Sequence, residues 1–146
     1  MDADRIERDT LIDAALERVW ALVVVPGFWV ADEAGAPGTV AEEGESVLTR
    51  SPHLGDVWVR VEKVSPQTYV AYRWASAFPG EELRDDNSTL VEFTLSTEGD
   101  RTRLRVVESG FAGLGAPQEV RDNAVQHNTG GWSYVFDVVK KRAEGA

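Results

Sequence analysis

The feature that most constrains the fold is a strict alternation of apolar and polar side chains in the middle of the chain. Between residues 56 and 64, valines alternate with larger side chains in the order Val57, Trp58, Val59, Arg60, Val61 and Glu62. Successive side chains of a β-strand point to opposite faces of a sheet, so this period of two predicts a strand with one buried and one solvated face. Similar patterns predict strands over residues 46–51, 56–64, 68–77, 88–97 and 101–109.

Turn signals between these segments favour an antiparallel meander. Ser65-Pro66-Gln67 and Glu98-Gly99-Asp100 are short connections of the kind that join antiparallel neighbours. If the strands pair in chain order, one face of the sheet is apolar. The side chains predicted to lie on that face are Val57, Val59, Val61, Val70, Tyr72, Trp74, Val91, Phe93, Leu95, Leu104 and Val106.

The N-terminal part predicts one further strand and helical structure after it. Residues 6–12 combine β-branched residues with partial alternation, and Asp13 is the expected N-cap of a helix over residues 14–23. Residues 28–30 predict a second short helix, and residues 34–44 predict a loop rich in Gly, Pro and Glu. The apolar face of the first helix is formed by Leu16, Val19, Trp20 and Val23.

From residue 118 to residue 143 the apolar period becomes helical. One stripe of this predicted helix contains Arg121, Val125, Asn128, Trp132, Val135, Phe136, Val139 and Ala143. A helix of this length can cross the whole sheet and cover its apolar face. The sequence therefore predicts an α+β fold, with a twisted antiparallel sheet wrapped around a long C-terminal helix, as a single domain over residues 1–146.

The composition of the chain excludes several classes of partner and chemistry. The formal net charge of −10, from 25 acidic and 15 basic residues, disfavours nucleic acid and anionic membrane as partners. The absence of cysteine excludes disulfides and thiol chemistry. The first ten residues are polar and charged, which predicts no secretion signal, so a cytoplasmic location is expected. No cofactor motif is recognised in the sequence.

A twisted sheet cannot contact one straight helix everywhere, so space between them is expected. Large aromatic side chains from both elements would line that space, and polar groups on the same faces would orient a ligand. The predicted cavity residues are Tyr72, Trp74, Phe93, Glu108, Phe111, Arg121, Asn128, Trp132 and Phe136.

Five short motifs occur in an order and spacing that point to a known family: Arg18-Val19-Trp20, Trp29, Tyr72-Arg73-Trp74, Glu108-Ser109-Gly110-Phe111 and Gly131-Trp132. The chain resembles the START-like, helix-grip superfamily called SRPBCC. Within it, the chain is similar to the branch named after the activator of the ninety-kilodalton heat-shock chaperone's ATPase. The resemblance covers nearly the whole chain and implies a hydrophobic ligand cavity. It implies no catalytic set.

Glu108 is the candidate with the most chemical content. It follows Leu104 and Val106 on the inward side of its strand, where a carboxylate is costly unless it is paired or protonated. In a functional interpretation it binds the polar end of a ligand or acts as an acid or base. In a structural interpretation it ties the strand end to Arg121 or to a backbone N–H group. Both interpretations are open from the sequence.

The helix stripe carries further candidates. Asn128 could hold a ligand's polar group or bond a neighbouring side chain. Arg121 could pair with a ligand anion at the cavity mouth or extend to water. Gly130-Gly131 weakens the helix, which predicts close packing against the sheet or room for a ligand.

The remaining candidates are less specific. His53 and His127 lack paired spacing, so no metal site is predicted. Trp29 and Trp58 are predicted at the surface or at the cavity edge, or packed beneath the loop of residues 34–44. An exposed Trp58 would mark a contact with a partner or a second copy of the chain.

Three functions follow from these observations. The favoured one is binding of a small apolar or aromatic molecule in the predicted cavity. The second, suggested by the family name, is contact with the chaperone through the surface. The third is an enzyme such as a cyclase or hydrolase of a polyketide-like substrate, with Glu108 as its acid or base. The sequence favours a binding protein over an enzyme.

Overall fold

The structure is a computed structural model that describes residues 5–25, 29, 42–51, 55–76, 78 and 80–145. Its elements are β1 (Arg5–Ile12), α1 (Leu16–Val23), β2 (Ser46–Ser51), β3 (Gly55–Ser65), β4 (Tyr69–Trp74), β5 (Thr89–Glu98), β6 (Arg101–Ser109), a 3₁₀ turn (Phe111–Gly113) and α2 (Gln118–Gly145). The predicted α+β class is confirmed, and the five alternating segments form β2 to β6.

The six strands form one antiparallel sheet in the order β1-β6-β5-β4-β3-β2. Strands β2 to β6 thus form a meander in chain order. The first strand, β1, pairs with β6 at the opposite edge of the sheet from β2. The register places one row of side chains across the inner face. In that row, Val61 lies opposite Tyr72, Tyr72 opposite Val91, Val91 opposite Glu108, and Glu108 opposite Ile6.

The inner face of the sheet is buried as the alternation predicted. Every side chain predicted for that face is less than a tenth exposed. Helix α2 packs against this face with the buried residues Asn128, Trp132, Phe136, Val139 and Ala143. Removal of these apolar surfaces from water is the main force that holds helix and sheet together. None of the described helices has the length and apolarity needed to cross a membrane.

The start of α1 differs from the prediction. Ala15 is the N-cap residue, and no side chain caps this helix. Asp13 is not the cap, because the chain first bends through a hydrogen bond from Ala14 N–H to the Ile12 carbonyl (2.9 Å). The Asp13 N–H group instead donates to the Glu144 carboxylate (2.8 Å), which joins this bend to the end of α2.

Several sequence predictions lie outside the described residues. Of the second short helix over residues 28–30, only Trp29 is described, and of the loop over residues 34–44 only the last three residues are described. His53 also lies outside this part of the chain.

Gly130 and Gly131 are both exposed on α2, so of the two explanations that the sequence left open, close packing against the sheet or room for a ligand, the first is wrong. A Cβ atom at either position would meet no other atom within 4 Å. The glycines are therefore not required by a close approach of the sheet.

Gly131→Ala is expected to stabilise the protein by about 0.5–1 kcal/mol, because alanine loses less backbone entropy in a helix. Urea unfolding of the variant and the wild type measures the difference. Gly110→Ala is the control, since Gly110 has a φ of 96° and alanine is strained there. A loss of stability in Gly131→Ala would contradict the open surroundings of this glycine.

Candidate functional site

Five aromatic rings lie together between the sheet and α2. The Trp29 ring lies at the centre of this ring cluster, with centroid distances of 5.1 Å to Tyr72, 5.4 Å to Trp74, 5.6 Å to Phe93 and 5.8 Å to Trp132. All five side chains are less than a tenth exposed. The rings meet in tilted or edge-to-face arrangements, which are the favourable geometries for aromatic pairs.

The backbone elements fix four of these rings. Tyr72 and Trp74 are alternate inward residues of β4, Phe93 lies on the neighbouring β5, and Trp132 reaches in from α2. The Tyr72 hydroxyl donates to the Val23 carbonyl at the end of α1 (2.7 Å). Burial raises the pKa of Tyr72 far above its ordinary value, so the phenol is a neutral donor that ties α1 to the sheet.

Glu108 lies beside the ring cluster and is completely buried. Trp132 Nε1–H donates to its Oε1 atom (2.8 Å), and Trp74 Nε1–H donates to its Oε2 atom (2.7 Å). Thr89 Oγ1 also donates to Oε2 (2.5 Å). Asn128 Nδ2 approaches both oxygens, at 3.2 Å from Oε1 and 3.1 Å from Oε2.

A second contact extends this polar network along α2. Asn128 Nδ2 also donates to Ser76 Oγ (3.1 Å), just beyond the end of β4. We call Glu108, Asn128, Thr89 and Ser76 the polar network. It joins β4, β5, β6 and α2 at one point, where the two indole N–H groups of the ring cluster also converge.

Two opposing effects set the ionisation of Glu108. Burial raises the pKa of its carboxyl group, because the charged form loses its hydration. The hydrogen bonds from Thr89, Trp132, Trp74 and Asn128 lower that pKa in part. All four donors are neutral groups, so the carboxylate is held by hydrogen bonds and not by an ion pair.

This pKa shift predicts a pH-dependent stability. A carboxyl group with a raised folded pKa binds more protons in the folded state than in the unfolded state. The contribution of Glu108 to the free energy of unfolding therefore falls as the pH rises above about 4.5 and through the folded pKa. Unfolding curves from pH 4.5 to 8 should show this fall for the wild type and a smaller fall for Glu108→Gln. Equal slopes for the two proteins would contradict the raised pKa.

The structure brings six of the nine predicted cavity residues into one site: Tyr72, Trp74, Phe93, Glu108, Asn128 and Trp132. Phe111 and Phe136 are also buried in the core. Arg121 is not among the donors to Glu108. Its guanidinium donates to the Ala112 carbonyl (3.1 Å), which links α2 to the 3₁₀ turn.

The sequence did not predict the contacts of three residues of the site, Thr89, Ser76 and Trp29. Thr89 occupies the inward position two residues before Val91, so the alternation of β5 contained the signal for it. Ser76 follows the end of β4, where no period applies. Of the positions that the sequence left open for Trp29, which were the surface, the cavity edge and packing beneath a loop, the surface is excluded, since the side chain is 9% exposed and its ring contacts four others. Isolated in the connection between α1 and β2, Trp29 belongs to no periodic pattern.

The outer face of the sheet carries Trp58. It is half-buried and lies opposite Leu48 on β2, whose side chain is 48% exposed. His127 is exposed on α2. Across the described residues, no three His, Asp or Glu side chains are grouped as metal ligands.

A six-stranded antiparallel sheet closed by a long C-terminal helix, with a short helix after the first strand, defines a START-like protein of the helix-grip fold. The sequence model of one family, described as Activator of Hsp90 ATPase homolog 1-like protein, matches residues 13–144. The chain belongs to this family. No curated protein sequence matches the chain.

Solved structures support the fold assignment. The protein MLL2253 from Mesorhizobium loti is 19% identical with a TM-score of 0.71, and the match covers 94% of this chain and 95% of that chain. The Aha1 dimer from Colwellia psychrerythraea is 17% identical with a TM-score of 0.67, with 96% of each chain covered. DynU16, a protein of the dynemicin biosynthetic locus, is 19% identical with a TM-score of 0.68, and the match covers 94% of this chain and 46% of DynU16. At these identities the similarity concerns the fold alone.

Proposed function

We propose that this protein binds a small apolar or aromatic molecule in the interior between the sheet and α2. The observation that carries the proposal is the polar network beside the ring cluster. Buried polar groups lower stability unless they are fully paired. Aliphatic side chains could fill the same space without the free-energy cost of an unpaired polar group. A few convergent polar groups within an aromatic interior are typical of small-molecule sites.

The ring cluster would supply most of the affinity. Burial of apolar ligand surface contributes about 25 cal/mol per Å², less the loss of ligand freedom and the rearrangement of the rings. The polar network would supply orientation. Three short hydrogen bonds hold the Glu108 carboxylate in one position, which supports a role in orienting a ligand.

Titration of the wild type with flat aromatic compounds tests this proposal. The ¹H–¹⁵N signals of the indole N–H groups report each tryptophan separately. We expect shifts at Trp74 and Trp132 on binding, with the Trp58 signal unchanged because that side chain is on the outer face. Signals assigned with single Trp→Phe variants would make the comparison unambiguous. Unchanged Trp74 and Trp132 signals across the panel would overturn interior binding.

A second candidate function is contact with the ninety-kilodalton heat-shock chaperone through the outer face of β2 and β3. The exposed Leu48 opposite Trp58 is the apolar feature that favours it, together with the family description. We expect Leu48→Asp to abolish capture of the purified chaperone while leaving indole shifts on ligand titration unchanged. Capture that is absent in the wild type would remove this candidate.

A further inference from the structure

We propose that the end of the polar network formed by Ser76 and Asn128 binds the polar group of the ligand, and that this group is a neutral carboxamide or lactam. Its carbonyl oxygen accepts a hydrogen bond from the Ser76 hydroxyl, and its N–H group donates to Asn128 Oδ1. This ligand class rests on the proposed function, because it refers to the same site. Three features carry it: the hydrogen-bonding groups at this end of the network, their contact with solvent, and the charge of Glu108 behind them.

The Asn128 side chain has an acceptor that the protein does not use. Its Nδ2 group carries two hydrogens. Nδ2 lies 3.1 Å from Glu108 Oε2, 3.2 Å from Glu108 Oε1 and 3.1 Å from Ser76 Oγ, so both hydrogens have acceptors. The carboxylate fixes this orientation, because a reversed amide would set its own oxygen against the Glu108 oxygens. Across the described residues, no group donates to Asn128 Oδ1.

The Ser76 hydroxyl has a donor that the protein does not use. Its oxygen accepts a hydrogen bond from Asn128 Nδ2, and its own hydrogen has no acceptor in the described part of the chain. A hydroxyl hydrogen rotates to suit a neighbouring acceptor. An acceptor on Asn128 and a donor on Ser76 therefore lie side by side, on two groups that a hydrogen bond of 3.1 Å joins.

Solvent reaches the polar network at this end. Glu108 has no exposed surface, whereas Asn128 is 5% exposed and Ser76 is 8% exposed. Among the described residues, Asn128 Oδ1 is not one of the enclosed polar atoms without a hydrogen-bond partner, so it is in contact with solvent. A polar group the size of a water molecule thus reaches this oxygen with β4 and α2 in place. An acceptor with so little solvent around it gains from a well-placed donor.

Two rings of the ring cluster are neighbours of this subsite. Asn128 and Trp132 are four residues apart on one face of α2, and both donate to Glu108. Trp74 donates to Glu108 Oε2, the same oxygen that Asn128 approaches. A ligand whose polar group is held by Asn128 and Ser76 therefore has aromatic surface beside it.

The charge of Glu108 selects a neutral ligand group. All four donors to this carboxylate are neutral, so its charge is not balanced by a cation in contact with it. A ligand carboxylate or phosphate at the subsite is repelled by Glu108 and loses its own hydration. A ketone or ester accepts from Ser76 but leaves Asn128 Oδ1 without a donor. A carboxamide or lactam presents a donor and an acceptor on neighbouring atoms and satisfies both groups.

Three naphthalene derivatives, the carboxamide, the methyl ketone and the carboxylate, test this ligand class on the wild type. The carboxamide has a donor and an acceptor, and the methyl ketone keeps only the acceptor. We expect the carboxamide to bind severalfold to about tenfold more tightly than the ketone by calorimetry, the contribution of one neutral hydrogen bond. The carboxylate should bind more weakly than both. The carboxamide should also shift the ¹H–¹⁵N signals of the Asn128 side chain.

Ser76→Ala separates the two hydrogen bonds. It removes the donor to the ligand carbonyl, so the affinities for the carboxamide and the ketone should fall by the same severalfold factor and keep their ratio. Ser88→Ala is the matched control, because Ser88 is a buried serine outside the polar network whose hydroxyl donates to the Arg84 carbonyl (2.7 Å). It should bind both compounds as the wild type does. If Ser76→Ala does not fold, the wild-type ratio and the Asn128 signals decide.

The possible failures are distinct. Equal affinities for the carboxamide and the ketone, or unmoved Asn128 signals, would overturn the subsite, and shifts at Trp74 and Trp132 would then leave interior binding intact. Unchanged affinities in Ser76→Ala would overturn the role of its hydroxyl group. If none of the three compounds bound, and no other aromatic compound shifted the indole signals, the subsite and the proposed function would both fall.

Discussion

Trp29→Ala is expected to destabilise the protein by about 3–5 kcal/mol, the range for removing a buried aromatic side chain that leaves a cavity. The side chain is 9% exposed and its ring contacts four others. Because those four rings are fixed by β4, β5 and α2, the space is expected to remain open and not to collapse. Denaturant unfolding followed by circular dichroism measures the loss.

Trp58→Ala is the matched control for this experiment. It removes a side chain of the same size from the half-buried outer face of β3, so we expect a loss of less than half that of Trp29→Ala. Indole should restore part of the stability of Trp29→Ala, since a ligand that binds only the folded state raises its free energy of unfolding. A Trp29→Ala protein as stable as Trp58→Ala would contradict the central position of Trp29.

Glu108→Gln is expected to lower the free energy of unfolding by about 1–3 kcal/mol at neutral pH, and Glu108→Leu by about 2–5 kcal/mol. The reason is geometric. The two indole N–H groups bind different oxygens, Trp132 on Oε1 and Trp74 on Oε2. Glutamine has one carbonyl oxygen, so one indole loses its acceptor in either orientation of the amide. With leucine at position 108, neither indole N–H has a hydrogen-bond acceptor.

Thr89 and Asn128 can adapt to glutamine, whereas the indoles cannot. A hydroxyl group rotates to accept a hydrogen bond and an amide can turn over, but an indole N–H is only a donor. Relief of the buried charge opposes the loss, which is why the expected value for glutamine is modest.

Glu92→Gln is the control for Glu108→Gln, because Glu92 accepts one hydrogen bond from the Tyr69 hydroxyl in a partly buried position. We expect its effect to stay within about 1 kcal/mol, as is usual where solvent can replace the lost partner. A Glu108→Gln protein as stable as the wild type would show that the indole donors find other acceptors. That result would contradict the requirement of each indole for its own oxygen of Glu108.

The two experiments bear on different parts of the site. The Trp29 series measures how much stability the central indole of the ring cluster contributes. The Glu108 series measures how firmly the polar network is held when no ligand is bound. Together they give the contributions of the ring cluster and of the polar network to the free energy of unfolding.

Much of the site could be predicted from alternation within elements. The inward positions of Tyr72, Trp74 and Phe93 follow from a period of two, and those of Asn128 and Trp132 follow from a helical period. Glu108 was identified in the same way, as a carboxylate at an inward position. The sequence could not decide whether Glu108 binds a ligand, Arg121 or a backbone N–H group, because a period gives the face of a side chain and not its partner.

The sequence by itself determined the strands, the long C-terminal helix and the inward faces, because these depend on the direction in which neighbouring side chains point along one element. The tertiary structure alone decided that Trp74 and Trp132 bind opposite oxygens of Glu108. It also decided that Trp29 lies at the centre of the ring cluster. Both results depend on strand register and on the approach of α2 and of the Trp29 side chain to the sheet. Contacts between residues distant in the chain are set by the packing of whole elements, which no local period encodes.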